Sequence, residues 1–336
     1  MRNRDIFFFC SSLLFFAFPS VSGASDPALA KKEGKVVIYG TLEDDTMKRI
    51  RDSFERKYGI PTEFFRASAT LVIDKSLSES RAGKPLFDVV LAPTASMNLL
   101  KQAGIFARYD SPMYADFLQD TADKDGILSP AYRTIAVGLV YNTSYVKPAE
   151  APKSLTDLLD PKWKGRLVMP DPSRHTTTTA WVASLYKILG GREQADRFIR
   201  ELGRQRPILL ESFVPVGERV ASGETPLGLT FIRYVYFYEQ KGAHLDYVRL
   251  GRFLGDGQNI ALALKPPHPN AGKLFIDFFL SEESMRIMAA EGEFVNRKGI
   301  YPPIKDADKI RFVQMDELGK DEFKKKQAEY HKIFFQ

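Results

Sequence analysis

The sequence predicts an α/β protein of two lobes, each a largely parallel sheet covered by helices. From Lys35 onward, short apolar runs alternate with stretches of helical period, and the alternation begins again at Arg166. Two longer β runs, residues 134–141 and 259–264, bracket the second series and are long enough to cross between lobes. Strand–helix alternation is typical of parallel sheets. Two crossings would leave a cleft between the lobes, where ligands commonly bind.

The first series gives three strands and three helices. One helix carries Met47, Ile50 and Phe54 on a single face and ends at Gly59. The predicted strands are 35–39, 62–65 and 88–91, and the other helices are 71–82 and 96–103.

The second series has the same form and is followed by a return to the first lobe. Its strands are predicted at 166–169, 207–211 and 227–231, and its helices at 179–189, 193–202 and 216–222. After the proline-rich residues 266–269, helices 271–280 and 282–290 are expected to pack on the first lobe. We therefore expect lobe 1 to contain residues 25–138 and 262–336, and lobe 2 to contain residues 139–261.

The first 24 residues predict a cleaved export signal. Arg2 and Arg4 precede an apolar run over residues 6–18, and small residues follow at 22–24. That run is too short to span a membrane. Cys10 is the one cysteine and lies in this segment, so the mature chain would have no disulfide and no thiolate site. We expect an exported protein of the bacterial periplasm.

Composition and net charge limit which kinds of partner the protein can bind. The chain is 44% hydrophobic and 27% charged, which is ordinary for a globular protein and excludes wholesale disorder. Its formal net charge of +6 is modest, and its basic residues are scattered. An exported protein meets little nucleic acid, so this charge favours attraction of small anions. We expect a monomer that binds a small anion and has no nucleic-acid partner, no resident metal and no cofactor.

The stretch RLVMPDPSRHTTTTAW, residues 166–181, is the most informative for chemistry. A strand leads into a hydroxyl-rich loop that opens a helix, so free backbone N–H groups and the positive end of the helix dipole meet there. Thr176 and Thr177 add hydroxyl donors, Arg174 adds a positive charge, and His175 can add another. The pattern indicates an anion site. An ordinary threonine N-cap would give the same pattern.

Other candidate ligand-binding residues follow the predicted strands, at the edge where parallel sheets bind ligands. They are Thr41, Glu43, Arg66, Ser68 and Thr94 in the first lobe, and Phe213, Arg233, Tyr234 and Tyr236 in the second. Arg233 and Arg66 could hold a carboxylate or phosphate from opposite sides, because guanidinium groups bind such anions in bidentate fashion. Phe213 suggests an apolar wall. Together these residues favour an organic anion, although a surface ion pair is the alternative for each arginine.

Several segments resemble bacterial extracellular solute-binding proteins of the ferric-iron-binding type. They are DPKWKG at 160–165, AVGLVYNT at 136–143, Gly223-Glu224 after a helix, and NAGKLFIDFFLSEES at 270–284. The resemblance covers nearly the whole mature chain in order. It implies the type II periplasmic binding protein fold, with two lobes joined by two β-strand hinge crossings. It also implies delivery of the ligand to an inner-membrane ABC permease.

The resemblance carries over the family's iron site only in part. Iron-binding members use a His after the first strand, a Glu after the third strand and two adjacent Tyr. This chain has Glu43 and Pro93 at the first two positions, and Tyr234-Val235-Tyr236 in place of the tyrosine pair. A hard ferric ion needs several anionic oxygens or imidazoles together. Glu43, Tyr234 and Tyr236 could still supply oxygens, so a ferric-iron-binding protein remains the alternative function.

Two other classes are weighed against a transport receptor. A secreted hydrolase would need an activated nucleophile, but there is no G-x-S-x-G motif and no His placed to serve one. Glu43 and Glu211 could pair as glycosidase carboxylates, yet each also reads as a solvated or ion-paired residue. A chemoreceptor adaptor would use the same cleft and differ only in its downstream partner. We therefore predict a non-enzymatic receptor.

Overall fold

The computed structural model describes residues 25–118 and 123–335. The predicted export signal lies outside the described residues. The helices are α1 Pro27–Glu33, α2 Asp44–Tyr58, α3 Ala69–Arg81, α4 Thr94–Gln102, α5 Thr176–Ser184, α6 Arg192–Arg204, α7 Phe213–Ala221, α8 Tyr234–Glu239, α9 Pro269–Phe279, α10 Glu282–Ala290 and α11 Lys320–Phe334. The strands are β1 Val36–Gly40, β2 Thr62–Arg66, β3 Val89–Pro93, β4 Phe106–Ala107, β5 Arg133–Asn142, β6 Leu167–Pro170, β7 Ile208–Leu210, β8 Leu227–Phe231, β9 Leu245–Tyr247, β10 Arg252–Ala263 and β11 Arg311–Gln314.

Apolar spacing explains the helices. In α2 the side chains of Met47, Ile50 and Phe54 are buried along one face, and the helix ends where Gly59 takes φ 66°. A left-handed residue at this position favours glycine. In α6 the buried residues Ala195, Phe198, Ile199 and Leu202 repeat with the same period. The strand–helix alternation predicted from the sequence is confirmed in both series.

The first unit is a parallel sheet with an antiparallel neighbour. β1 lies between β2 and β3 and is parallel to both, and β10 pairs antiparallel with β3. In the second unit β6 lies between β7 and β8 and is parallel to both, and β5 pairs antiparallel with β8. The strand order is β2-β1-β3-β10-β5-β8-β6-β7.

β5 and β10 join the two units. They pair antiparallel, with Gly255 opposite Ala136 and Gln258 opposite Arg133. Each continues into one unit, β10 beside β3 and β5 beside β8. The crossing in β10 therefore lies over its first half, before the run 259–264 that the sequence indicated. Residues 252–257 read RFLGDG, a turn-like composition, and pairing with β5 and β11 holds them extended.

Each unit has its own core. In the first, Phe54, Phe275 and Phe279 pack beneath the β1–β3 sheet, and a second cluster including Phe87 and Phe106 covers its other face. In the second, Trp181, Phe198 and Leu229 belong to one cluster. Each unit is therefore a helix-covered sheet.

The C-terminal segment differs from the expected assignment of 262–336 to lobe 1. β11 pairs with the first half of β10, and α11 packs against α5 and α6. Tyr330 and Phe334 of α11 lie in the core of the second unit. Gly203 makes this possible, because an added Cβ would lie 2.6 Å from the carbonyl oxygen of Ile333. The chain thus passes a third time between the units. Of the described helices after β10, α9 and α10 contribute to the core of the first unit and α11 does not.

Candidate functional site

The carboxyl ends of the parallel strands in both units lead into helices. β1, β2 and β3 are followed by α2, α3 and α4, and β6 and β7 lead to α5 and α7. The first turns of α3, α4, α5 and α7 contain no acidic residue. Their free backbone N–H groups therefore keep the positive partial charge of a helix N-terminus.

Four charged side chains from both units meet between these edges, and we call them the ion-pair network: Glu43, Arg133, Glu293 and Arg233. Nη1 of Arg133 lies 3.1 Å from Glu43 Oε2 and 3.1 Å from Glu293 Oε1. Arg233, which follows β8, donates from Nη1 to the same Glu293 oxygen. Glu43 follows β1, and Glu293 follows α10. The network therefore connects the two units.

Neighbouring opposite charges stabilise the ionised forms of Arg133 and Glu43 against the effect of burial. The side chains of Arg133 and Glu293 are only 2% and 3% exposed. Burial alone would lower the pKa of Arg133, but the charges of Glu293 and Glu43 outweigh it and raise that pKa. Burial would raise the pKa of Glu43, and the charges of Arg133 and Arg233 outweigh it and hold that pKa below its usual value. Arg133 and Glu43 are therefore both charged at neutral pH.

Glu43 and Arg233 remain accessible within the network. The Glu43 side chain is 42% exposed and that of Arg233 is 26% exposed. Among the described residues, Nη1 is the one nitrogen of the Arg233 side chain that donates a hydrogen bond. Oε2 is the one carboxylate oxygen of Glu43 that accepts a hydrogen bond from another residue. Each side chain thus has unused hydrogen-bonding capacity.

Aromatic side chains form the adjoining surface of the second unit. The rings of His175, Phe213, Phe231 and Tyr234 contact one another in series, with centroid separations of 4.9, 4.3 and 5.6 Å. Phe213 is only 2% exposed, so it supports this row from beneath and does not form the apolar wall expected from the sequence. Burial raises the pKa of Tyr234, so its phenol stays protonated at neutral pH. Tyr236 lies against Gly292, where an added Cβ would come 3.1 Å from its Cδ1.

The loop before α5 is the predicted anion site. His175 is the N-cap residue of α5, and its Nδ1 accepts from the backbone N–H of Thr178 at 3.3 Å. Burial lowers the pKa of His175, so the ring is neutral at pH 7 and does not add the positive charge we considered. Arg174 is 80% exposed and lies 3.6 Å from Asp171.

A cavity of about 570 Å³ opens beside this loop, lined in part by Arg174, His175, Thr176, Glu211 and Phe335. Asp171 and Glu211 both line it, so the local charge is mixed. Thr177 is half-buried in the first turn of α5.

The predicted residues of the first unit occupy different environments. Thr41 is half-buried and donates its N–H to the Leu91 carbonyl, and Thr94 Oγ1 donates to Asn259 Oδ1 of β10 at 2.7 Å. Ser68 is exposed and caps α3 by accepting from Leu71 N–H. Arg66 ends β2, at the far end of the strand order from β6 and β7, and is exposed. Thr94 and Glu43 therefore lie nearest the crossing strands.

Sequence reasoning missed Arg133 and Glu293. Arg133 directly precedes the predicted crossing 134–141, and Glu293 lies between Gly292 and the buried Phe294. The feature of the sequence that could have indicated them is a charged residue at the edge of an apolar run. Their pairing joins residues 160 positions apart, and nothing local in the sequence reports it.

The site contains no cluster typical of a metal. Within residues 25–118 and 123–335, no group of three or more His, Cys, Asp or Glu side chains could hold a metal ion. Tyr234 and Tyr236 add phenol oxygens that are not part of such a group. In the same described ranges, no helix is long and apolar enough to cross a membrane.

Two helix-covered sheets joined by paired strands, with a charged network between them, define a two-lobed binding protein. Residues 84–245 match the family model described as bacterial extracellular solute-binding protein. An uncharacterized protein of Haemophilus influenzae is 25% identical over 305 residues, covering 87% of this chain and 85% of that protein.

Solved structures share the fold. Iron-bound HitA from Pseudomonas aeruginosa is 21% identical with a TM-score of 0.68, over 90% of this chain and 98% of that chain. AfuA from Actinobacillus pleuropneumoniae, a periplasmic binding protein with exogenous fructose-6-phosphate bound, is 23% identical with a TM-score of 0.64. The match covers 90% of this chain and 97% of that chain. Over residues 84–245 the chain is similar to the bacterial extracellular solute-binding proteins, and it has the type II periplasmic binding protein fold predicted from its sequence. Members of this class bind small ligands and deliver them to an ABC permease.

Proposed function

We propose that this protein is the periplasmic receptor of an ABC importer for a small organic anion, either a carboxylate or a phosphorylated compound. The observation that carries the proposal is Arg233. It reaches Glu293 with Nη1 alone, and among the described residues its other guanidinium nitrogens make no hydrogen bond. A guanidinium that is partly exposed in a cleft binds carboxylate or phosphate oxygens well.

The surroundings of Arg233 support an anion with an organic body. The acid-free first turns of α4 and α5 add positive partial charge from both units. Tyr236, three residues after Arg233, is half-buried and supplies ring surface for a carbon skeleton, whereas Tyr234 is only 6% exposed.

The binding motion follows from the connections. The ligand docks on one lobe, and rotation about β5 and β10 brings the other lobe over it. Closure adds contacts and excludes water, so the ligand stabilises the closed form in proportion to its preference for that form. The closed surface is then what the permease recognises. We expect a monomer to suffice, because both walls of the cleft come from one chain.

Ferric iron is the second candidate, favoured by the similarity to iron-bound HitA and to the Fe(3+)-binding periplasmic protein of Serratia marcescens, 26% identical over 158 residues. Glu43, Tyr234 and Tyr236 would be its ligands. Two features count against it. Glu43 is held by Arg133, and burial raises the pKa of Tyr234, which opposes formation of the tyrosinate that iron needs.

Calorimetric titration tests the proposal. A series of small carboxylates and organic phosphates should include ligands that bind the wild-type protein, are recovered unchanged and stabilise it thermally. Ferric iron with a weak chelator should not bind stoichiometrically. Tight iron binding with no organic ligand would support the second candidate, and conversion of a ligand to product would indicate an enzyme.

A further inference from the structure

The side chain of Glu43 departs from its expected local role. Glu43 is the N-cap residue of α2, with φ −61° and ψ 138°, yet its side chain makes no hydrogen bond to the first turn of that helix. N-cap side chains ordinarily accept from those N–H groups. Instead, Oε2 accepts from Arg133 Nη1 at 3.1 Å. The carboxylate is therefore turned from the helix toward the network between the units.

Arg133 holds that carboxylate in one position. It is almost completely buried, and its Nη1 lies at equal distance from Glu43 and Glu293. Two carboxylates and two guanidinium groups balance in charge, so the network is neutral as a whole. Because Arg133 begins β5, Glu43 is fixed relative to a crossing strand and not only to its own loop.

The remaining oxygen of Glu43 is an acceptor that needs a donor. Among the described residues Oε1 accepts no hydrogen bond from another residue, and the side chain is 42% exposed. Arg133 and Arg233 keep the carboxyl ionised, as described above, so it accepts hydrogen bonds and donates none. When the lobes close and remove water, an unpaired carboxylate oxygen would lose its hydration without compensation. A ligand that lacks a donor at this point is therefore disfavoured.

We propose that Glu43 is a specificity-determining residue that selects organic anions carrying a hydroxyl or ammonium group. The anionic group of the ligand binds Arg233, and its donor group donates to Glu43 Oε1 across the cleft. This inference rests on the proposed function and narrows its ligand class from organic anions in general to hydroxylated or amino-substituted anions.

Matched ligand series test this inference by calorimetry. One series is ethyl phosphate, 2-hydroxyethyl phosphate and 2-aminoethyl phosphate, and the other is butanedioate, malate and aspartate. In each series whose members bind, we expect a donor-bearing member to bind about 10- to 100-fold more tightly than the donor-free member. Glu43→Ala should remove that preference, and because it also removes a negative charge that interacts with Arg233, it should not weaken binding of the donor-free member. Glu63→Ala, which alters an exposed carboxylate paired with Lys35, is the control and should retain the preference.

The outcomes separate the two proposals. Glu43→Gln keeps the side-chain shape and an acceptor but loses the charge. It should therefore weaken binding of the ammonium-bearing member more than binding of the hydroxyl-bearing member. It also replaces Glu43→Ala as the test variant if Glu43→Ala folds poorly. Equal binding of all members by the wild-type protein, or an unchanged preference in Glu43→Ala, would overturn the specificity role and leave the anion receptor intact. Failure of both series to bind would overturn the proposed function and this inference with it.

Discussion

Glu293 Oε1 accepts from Arg233 and lies 3.1 Å from Nη1 of Arg133, so a single buried oxygen connects both arginines. Glu293 follows a helix of the first unit, Arg133 begins a crossing strand, and Arg233 follows β8 of the second unit. This oxygen therefore connects both units to β5, one of the two strands about which the units are expected to rotate.

Removing Glu293 should strongly destabilise the fold. Glu293→Ala leaves Arg133 buried with only Glu43 as a charged partner, and breaking a buried ion pair costs about 3–5 kcal/mol. Urea unfolding followed by circular dichroism measures the loss. Glu282→Ala breaks an exposed pair with Arg286 and should change the free energy of unfolding by less than about 1 kcal/mol. Equal effects of the two substitutions would show that the network contributes little to stability.

Arg233→Ala should weaken anion binding by about 1.5–3 kcal/mol, because it removes charged hydrogen bonds to the ligand. Titration of the anions that bind the wild-type protein measures this loss. Arg204→Ala removes an exposed guanidinium that pairs with Glu201 within α6, and it should leave affinity unchanged. If Arg233→Ala binds as tightly as the wild-type protein, Arg233 is not a ligand-binding residue.

Asp256 predicts a pH dependence of stability. Burial raises its pKa to about 6 from an ordinary value of 3.8, so the folded state binds the proton more tightly than the unfolded state. The wild-type protein should therefore lose stability, relative to Asp256→Asn, as the pH rises from about 4 through 6. Above pH 6 the variant should be more stable by about 2–3 kcal/mol. Below pH 4 the two should agree. An equal stability difference between the two proteins at every pH would contradict the raised pKa of Asp256.

Gly217 should be intolerant of a side chain because of Tyr234. An added Cβ would come 2.6 Å from Cδ2 of the Tyr234 ring, which adjoins the site. Gly217→Ala should cost about 1–3 kcal/mol through overpacking and should also weaken anion binding by displacing that ring. Gly319→Ala is the matched control, because nothing lies within 4 Å of its added Cβ and its φ is −63°. Unaltered stability and affinity in Gly217→Ala would remove Tyr234 from the site.

The sequence predicted most of the local structure, because buried faces repeat with the period of each element. Met47, Ile50 and Phe54 identified α2, and the run before Asn142 identified β5. Residues 252–257 lie outside the crossing expected at 259–264, yet they form half of β10, because pairing with β5 and β11 outweighs their composition. The sequence assigned residues 262–336 to lobe 1, but α11 packs on the second unit, since an amphipathic helix does not record which unit it will cover.

The candidate site was predictable where residues follow strands. Glu43 and Arg233 were named on that ground, and the structure brings them into one network. Arg133 and Glu293 escaped because ion pairing between distant segments leaves no local pattern. His175 looked like a possible cation, but burial lowers its pKa and keeps it neutral, and that burial comes from tertiary packing that includes contact with the Phe213 ring.

Native mass spectrometry of the purified protein, with iron measured on the same sample, tests the central claim most directly. The account predicts that a small organic anion carrying a hydroxyl or ammonium group accompanies the chain, that it is lost on unfolding, and that Arg233→Ala retains less of it. A protein that carries one ferric ion per chain and no organic anion would contradict it.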